Sequence, residues 1–278
     1  MNTIPEYALD QAARQENFPV ASRLLSRRLR GRVVAFYRYA RTADDIADDP
    51  ALGTADKSER LQSLEDGLDG RGRSAVALAL REALDGTGVG DASALAAARK
   101  LLVAFRRDAG GIACVDWDDL MAYCDASAVP VGRFLLAIHG EAADTHDPSD
   151  ALCAALQVLN HLQDMAEDHD RLGRRYVPGD WMVQHGATDA DLTAPKLSGG
   201  LRAAVGRTLD ATDALLVRAA PLPGRIQSRG LRAQSAATLA LARRLAVRLR
   251  RGDPLASRIA LTRFDFLRAG LVGLWAAR

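Results

Sequence analysis

"AFYRYARTADDIADDP", residues 35–50, is an apolar segment that closes on four aspartates, Asp44, Asp45, Asp48 and Asp49. Its apolar residues recur at three- and four-residue intervals, which predicts a helix over residues 20–50 that Pro50 must end or kink. On that helix Asp44 and Asp48 lie one turn apart, as do Asp45 and Asp49, and the four form one acidic patch. Aspartate is a poor helix former, and like charges at this spacing repel. Negative charge at a helix C-terminus also opposes the dipole, by roughly 0.3–1 kcal/mol per group. One reading is a solvated, frayed helix end, as most surface charge runs are. The other is a hard cation, because Mg²⁺ takes oxygen ligands and is held by one or two carboxylates together with substrate phosphates. Ile46 and Ala47 inside the patch, and "RVVAFYRYA" before it, are too apolar for a fully solvated end.

Outward from this segment the same periodicity runs through nearly the whole chain, and alternating β-branched runs bounded by turn residues are missing. The expected fold class is all-α. Glycine and proline punctuation divides the chain into nine or ten helices, the longest over 20–50, 92–108, 149–169, 199–219 and 225–251. With 278 residues, 48% hydrophobic content, no long polar linker and no fixed-period repeat, residues 1–278 read as a single domain around one core. A formal charge of +2 does not supply the strongly basic face that duplex binding relies on, so nucleic acid is not an expected partner. The cysteines, Cys114, Cys124 and Cys153, are odd in number, lack metal-ligand spacing and sit in apolar runs; they read as small core residues of a cytoplasmic protein. The first 18 residues lack the charged and apolar regions of a signal peptide, and no apolar run reaches the ~18 residues of a spanning helix. "RRLAVRLRRG", residues 243–252, is basic and amphipathic: a solvated face, or a peripheral contact with the inner face of the membrane.

A second stretch changes the weighing of the first. In "LQVLNHLQDMAEDHDRLGRRYVP", residues 156–178, Asn160, Asp164 and Asp168 follow at four-residue spacing and share a stripe with Gln157, on a helix that Leu156, Leu159, Leu162 and Met165 mark as largely buried. Two aspartate pairs on two apolar helices can face each other across a cavity and hold divalent ions, with a diphosphate between them whose carbon–oxygen bond breaks without a protein nucleophile. Arg41, one turn before Asp44, and Arg171, Arg174 and Arg175, after Asp168, either pair with nearby carboxylates or present guanidinium forks to diphosphate oxygens. Other motifs lead nowhere comparable. "GTGVG", residues 86–90, follows no strand and reads as a helix connector; His169–Asp170 lacks upstream histidine partners; and no Glu-x-x-His element supports a di-iron bundle. Tyr123, Ser127 and Gly132 surround a break at Pro130, a kink with small residues for close packing.

These residues resemble the squalene and phytoene synthase family over nearly the whole chain, and "ENFPVAS" (16–22), "FYRYARTADDIADD" (36–49) and "YCDASAVPVGR" (123–133) are most similar to its hydroxysqualene-forming branch. Tyr37, Arg41, Asp44 and Asp48 fall at the spacing of the family's first motif; Gln157, Asn160, Asp164 and Asp168 fall at that of its second. The resemblance implies an all-α isoprenoid synthase bundle around a central cavity, with Asp44, Asp48, Asp164, Asp168 and Tyr37 as catalytic residues. It also implies Mg²⁺, or Mn²⁺ as the alternative, on Asp44, Asp48, Asn160, Asp164 and Asp168, and substrate contacts from Asn17, Phe18, Arg41, Gln157, Asn160, Arg174 and Tyr176. Phe18, Phe36, Tyr37, Val131, Phe134 and Leu135 are candidate walls, and Tyr123, Ser127 and Gly132 would line the pocket. The implied reaction takes presqualene diphosphate and water to hydroxysqualene and diphosphate without NADPH, with substrate handed over by a presqualene diphosphate synthase. The alternatives are head-to-head condensation of prenyl diphosphates such as farnesyl diphosphate, and a non-catalytic assembly factor of the same fold, against which the intact aspartate quartet speaks. The sequence departs from the family pattern at His161 and Val129, where Phe and Asn are expected, and by one extra residue ahead of Arg174 and Tyr176.

Overall fold

The structure, a computed structural model, describes residues 27–84 and 90–278. Asn17 and Phe18, and with them "ENFPVAS", lie outside the described residues. Helix α1 (Arg27–Asp48) buries Val33, Phe36, Tyr39, Ala43 and Ala47, the spacing that predicts it, and ends two residues ahead of Pro50. Its last turn is capped from outside: Lys57 Nζ donates to the Ala47 carbonyl at 2.7 Å, placing a cation where the dipole is negative. Three helices pack around it: α2 (Thr54–Leu68), α3 (Ala75–Leu84) and α4 (Asp91–Ala109). Gly90, just before α4, has φ 94°, and a Cβ there would sit 2.2 Å from the Ala137 carbonyl oxygen, so only glycine serves.

The central helices are α5 (Trp117–Ser127), α6 (Val129–His139), α7 (His146–Gln163) and α8 (Met165–Leu172). The chain continues through α9 (Gly179–Gln184), α10 (Gly199–Ala219), α11 (Leu222–Arg225), α12 (Arg229–Arg251) and α13 (Arg263–Ala276). Helices outnumber the sequence expectation because α9 and α11 are too short to show a period. In addition, the helix expected over 149–169 is interrupted at Asp164 (φ −104°, ψ 12°), whereas the break expected at Pro130 is present and falls at Ala128 (φ −111°). No strand occurs among the described residues; a single parallel bridge joins Ala113 to Arg175.

Two apolar clusters form the interior. Leu61, Leu80, Leu101 and Phe134 centre the first, and Leu120, Leu159, Leu201 and Leu245 the second. Each buried leucine contributes roughly 1.5–3 kcal/mol relative to exposure. Leu135 of α6 packs against both. The stretch Trp117–His139 is long and apolar enough to cross a membrane, contrary to the expectation that no run reaches that length. Its Leu120, Tyr123, Phe134 and Leu136 are buried in this interior.

Candidate active site

A cavity of about 610 Å³ takes its walls from both clusters, a volume within the usual range for small-molecule sites. Helix α1 sends Tyr37, Arg41, Asp44 and Asp48 into it. The four-aspartate patch splits at this point. Asp45 faces outward to Arg41 at 2.9 Å, and Asp49 accepts from the Ala51 N–H at 2.8 Å, bracing the turn after the helix. Asp48 is met from across the cavity by Arg174 Nη2 at 2.7 Å. Asp44, with 39% of its side chain exposed, is pushed up to about 6 by desolvation and by repulsion from Asp48, opposed by Arg41 at 3.3 Å.

Helix α7 brings Gln157, Asn160 and His161 to the opposite wall, and Asp168 follows on α8. The break at Asp164 leaves the hydrogen-bond ladder running: Asp164 N–H donates to the Asn160 carbonyl at 3.0 Å, and Asp168 N–H to the Asp164 carbonyl at 2.8 Å. Asn160, Asp164 and Asp168 therefore all reach the cavity despite the interruption. Arg258 lies 3.3 Å from Asp164, whose pKa is raised, first by desolvation. His161, in place of the expected Phe, still stacks as an aromatic would, 3.4 Å from the Tyr176 ring at 11°. Desolvation lowers its pKa and keeps the ring neutral, so the Gln157 amide donates to Nε2 at 3.1 Å and the ring proton lies on Nδ1, 3.6 Å from Asp168. Val129 is buried outside the cavity lining.

The bridge orders the residues after α8. Arg175 N–H donates to Ile112 O at 3.0 Å and Cys114 N–H to Arg175 O at 2.9 Å, so the backbone is extended and neighbouring side chains point to opposite sides. Arg174 and Tyr176 thus enter the cavity together, whatever the extra residue ahead of them. Arg175 turns away, to Asp189 at 2.9 Å and the Cys114 carbonyl at 2.7 Å, so it is not the diphosphate ligand considered from sequence.

One further charged lining residue escaped the sequence reading. Asp108, the penultimate residue of α4, is only 8% exposed, accepts from the Tyr123 hydroxyl at 3.1 Å and has its carbonyl 3.4 Å from Arg174. Burial pushes its pKa up to about 6. The signal was the same as at Asp44 and Asp48: an aspartate in the last turn of an apolar helix, here just ahead of Gly110 and Gly111.

Away from the acids the cavity is mostly apolar, lined by Phe36, Val131, Leu135, Leu152, Leu156 and Leu231, with Ser127, Ser149, Gln234 and Thr238 among them. Phe134 is not a wall residue; it stacks behind Phe36, centroids 3.9 Å apart. Gly132 holds α6 close to α7, since a Cβ would lie 2.6 Å from Ser149 Oγ and Cys153 Sγ. Cys114 and Cys124 are core residues as expected, whereas Cys153 lines the cavity.

The profile of the squalene/phytoene synthase family matches residues 11–265. The chain belongs to this family. It is 40% identical to the hydroxysqualene synthase of Rhodopseudomonas palustris, over 96% of this chain and 90% of that one. It is 39% identical to the hydroxysqualene synthase of Sinorhizobium fredii, over 94% and 89%. The crystal structure of squalene synthase HpnC from Alicyclobacillus acidocaldarius superposes with a TM-score of 0.72 at 30% identity, covering 87% of this chain and 92% of that one. The protein is thus an all-α isoprenoid synthase of the squalene/phytoene type, an enzyme class that acts on prenyl diphosphates.

The cavity's donor set fits the hard divalent ion such an enzyme uses. Asp44, Asp48, Asp164 and Asp168 line it from two sides and would offer oxygen ligands, and a cation would relieve the repulsion between Asp44 and Asp48. Among the described residues no three His, Cys, Asp or Glu converge closely enough to hold an ion by themselves, so an ion bound here would need further oxygens, from substrate or water.

Proposed function

We propose that this protein is a hydroxysqualene synthase: it ionises presqualene diphosphate, and water captures the rearranged cation, giving hydroxysqualene and diphosphate in hopanoid biosynthesis. The observation that carries the reading is that two aspartate pairs, from separate helical segments, line one mostly apolar cavity. The names of the relatives at about 40% identity support the choice of branch. Mg²⁺, or Mn²⁺ in its place, held by Asp44 and Asp48 on one side and Asn160, Asp164 and Asp168 on the other, would neutralise the diphosphate as the carbon–oxygen bond breaks.

The chain's own groups do the rest. Arg41 and Arg171 flank the acidic end, half or more of each side chain exposed, and are free to swing onto diphosphate oxygens. Arg174, buried and already on Asp48, fixes that carboxylate and adds charge beneath the diphosphate. Gln157 and Asn160 orient the same end, with Tyr37 above Arg41 on α1. The apolar walls keep water from the cation until it has rearranged. The Tyr123 and Tyr176 hydroxyls, 3.5 Å apart and beside Asp108, are the polar groups placed to hold the attacking water. Its oxygen bonds to carbon, one proton leaves to solvent or diphosphate, and no hydride enters, so NADPH has no role. The whole chain acts as one domain and takes its substrate from a presqualene diphosphate synthase.

Incubation with presqualene diphosphate and Mg²⁺ in ¹⁸O-water tests this: the label is expected in the product hydroxyl. Squalene formed only on adding NADPH, or farnesyl diphosphate consumed to presqualene diphosphate, would assign the cavity to head-to-head condensation instead.

A further inference from the structure

Helix α13 presents a face that nothing among the described residues covers. Phe264, Leu267, Leu271, Leu274 and Trp275 fall at positions i, i+3, i+7, i+10 and i+11, one side of the helix, and each is 60–72% exposed. The opposite side is fixed. Asp265 closes a capping box with Thr262 and is gripped by Arg244 at 2.9 Å and Arg248 at 2.7 Å. Gly273 lies so close to α12 that a Cβ would stand 2.6 Å from the Ala233 carbonyl oxygen. The apolar side chains are therefore held outward by an anchored helix.

We infer that this face docks on an anionic lipid bilayer, lying in the plane of the interface. Three observations choose that occupant. Helix α13 carries exposed Arg263 and Arg268, with exposed Arg278 just beyond its end, and its one acid, Asp265, is buried and paired; residues 229–278 hold eleven arginines against two aspartates in a chain whose formal charge is only +2. Both aspartates are engaged, Asp265 as above and Asp253 by Arg202 at 2.8 Å. A second copy of the chain would bring basic face onto basic face, which argues against self-association. Fourteen residues of helix span about 21 Å, too short to cross a bilayer but suited to lying along its surface.

The location also relates to the reaction cavity. A cleft of about 200 Å³ between α12 and α13, lined by Leu241, Phe266, Ala269 and Leu274, shares Gln234 and Thr238 with the wall of that cavity. On the reading that the product is a long hydrocarbon, the docked face sets the lipid phase beside the chamber where product forms. In the basic segment 243–252, Arg244 and Arg248 hold Asp265, and Arg250 holds Asp210 and Asp213, each at 2.7 Å, so much of its charge is already engaged within the fold.

Flotation of the full chain with vesicles, without substrate, tests docking independently of the reaction. With phosphatidylcholine vesicles containing about 30% phosphatidylglycerol the protein is expected to float, and binding should weaken at least about ten-fold on pure phosphatidylcholine or at high salt. Leu267→Glu/Leu271→Glu should lose binding by about ten-fold or more while keeping its circular dichroism, melting temperature and turnover in detergent-solubilised substrate. Trp275 emission should shift to the blue on vesicle addition, whereas the stacked Trp117–Trp181 pair stays inside. Absence of flotation, equal flotation by the variant, or a wild-type dimer that the double substitution dissociates would each overturn the proposal, the last by giving the face to self-association.

Discussion

Helix α1 and the α7–α8 pair carry the same device, aspartates four residues apart on an apolar helix, and the fold handles them differently. On α1 the helix runs unbroken to Asp48, half the acidic patch is turned away, and the inward pair is balanced from outside by Arg41 and by the buried Arg174. On the second segment the helix breaks at Asp164 itself, and the balancing groups are the exposed Arg258 and the neutral His161. Like carboxylates can thus be brought to one cavity by two local routes. What they share is one partner distant in sequence on each side, Arg174 for Asp48 and Arg258 for Asp164.

The largest expected effect would break the symmetry between the two sides. If both bear on one diphosphate, Asp44→Asn and Asp164→Asn should each lower turnover by about a thousand-fold or more, since each loses several kcal/mol of charge stabilisation, with the helical circular dichroism unchanged. Near-normal turnover in either variant would remove that side from the chemistry.

Next comes the contrast between the two arginines of the first side. Arg174→Ala leaves Asp48 and the buried Asp108 without their cation and should destabilise the fold by about 2–4 kcal/mol in urea unfolding. Arg41→Ala, at an exposed ion pair, should cost under about 0.5 kcal/mol yet weaken inorganic diphosphate binding by calorimetry. Equal stability losses would mean that burial does not separate them.

Asp108 sharpens the comparison through pH. Its native pKa, pushed up to about 6, exceeds its unfolded value, so the native state holds the extra proton. Stability from this group is therefore greatest below about pH 4, falls as pH rises through the window from about 4 to 6, and stays low above it. Asp108→Asn should remove that slope and exceed the wild type by about 1–3 kcal/mol above pH 6. A difference between the two melting curves that does not vary with pH would show that the carboxylate is not strained by burial.

The smallest effect concerns the second side alone. His161→Phe keeps the stack on Tyr176 but drops the links to Gln157 and Asp168, so stability should change by no more than about 1.5 kcal/mol and turnover by less than about ten-fold. A loss as large as that of Asp164→Asn would make the histidine part of the acidic machinery.

Much of this was legible before any coordinates. The long helices, the inward direction of Asp44, Asp48, Gln157, Asn160, Asp164 and Asp168, and the family itself follow from spacing and motif. Tyr123 was expected at the pocket from the resemblance, but Asp108, which its hydroxyl meets, was not gathered into the site, because no motif joins residues so far apart along the chain. The outward turn of Arg175 depends on a single backbone bridge to residues 112–114 that leaves no periodic trace. The exposed face of α13 was hidden as well, since apolar residues all round a short helix do not reveal which side is covered.

Local spacing by itself determined which residues share a helical stripe, because a helix repeats every 3.6 residues whatever surrounds it. Composition determined that the chain could bury a core, and the proline and glycine positions determined where most helices stop. Only the tertiary structure decided what engages Asp45 and Asp49 outside the cavity, which arginine meets Asp48, and that a buried carboxylate from α4 joins the acidic residues of the cavity. Those outcomes depend on the dielectric and the charges that other segments bring to a point, and neither quantity is a property of the residue's neighbours in sequence.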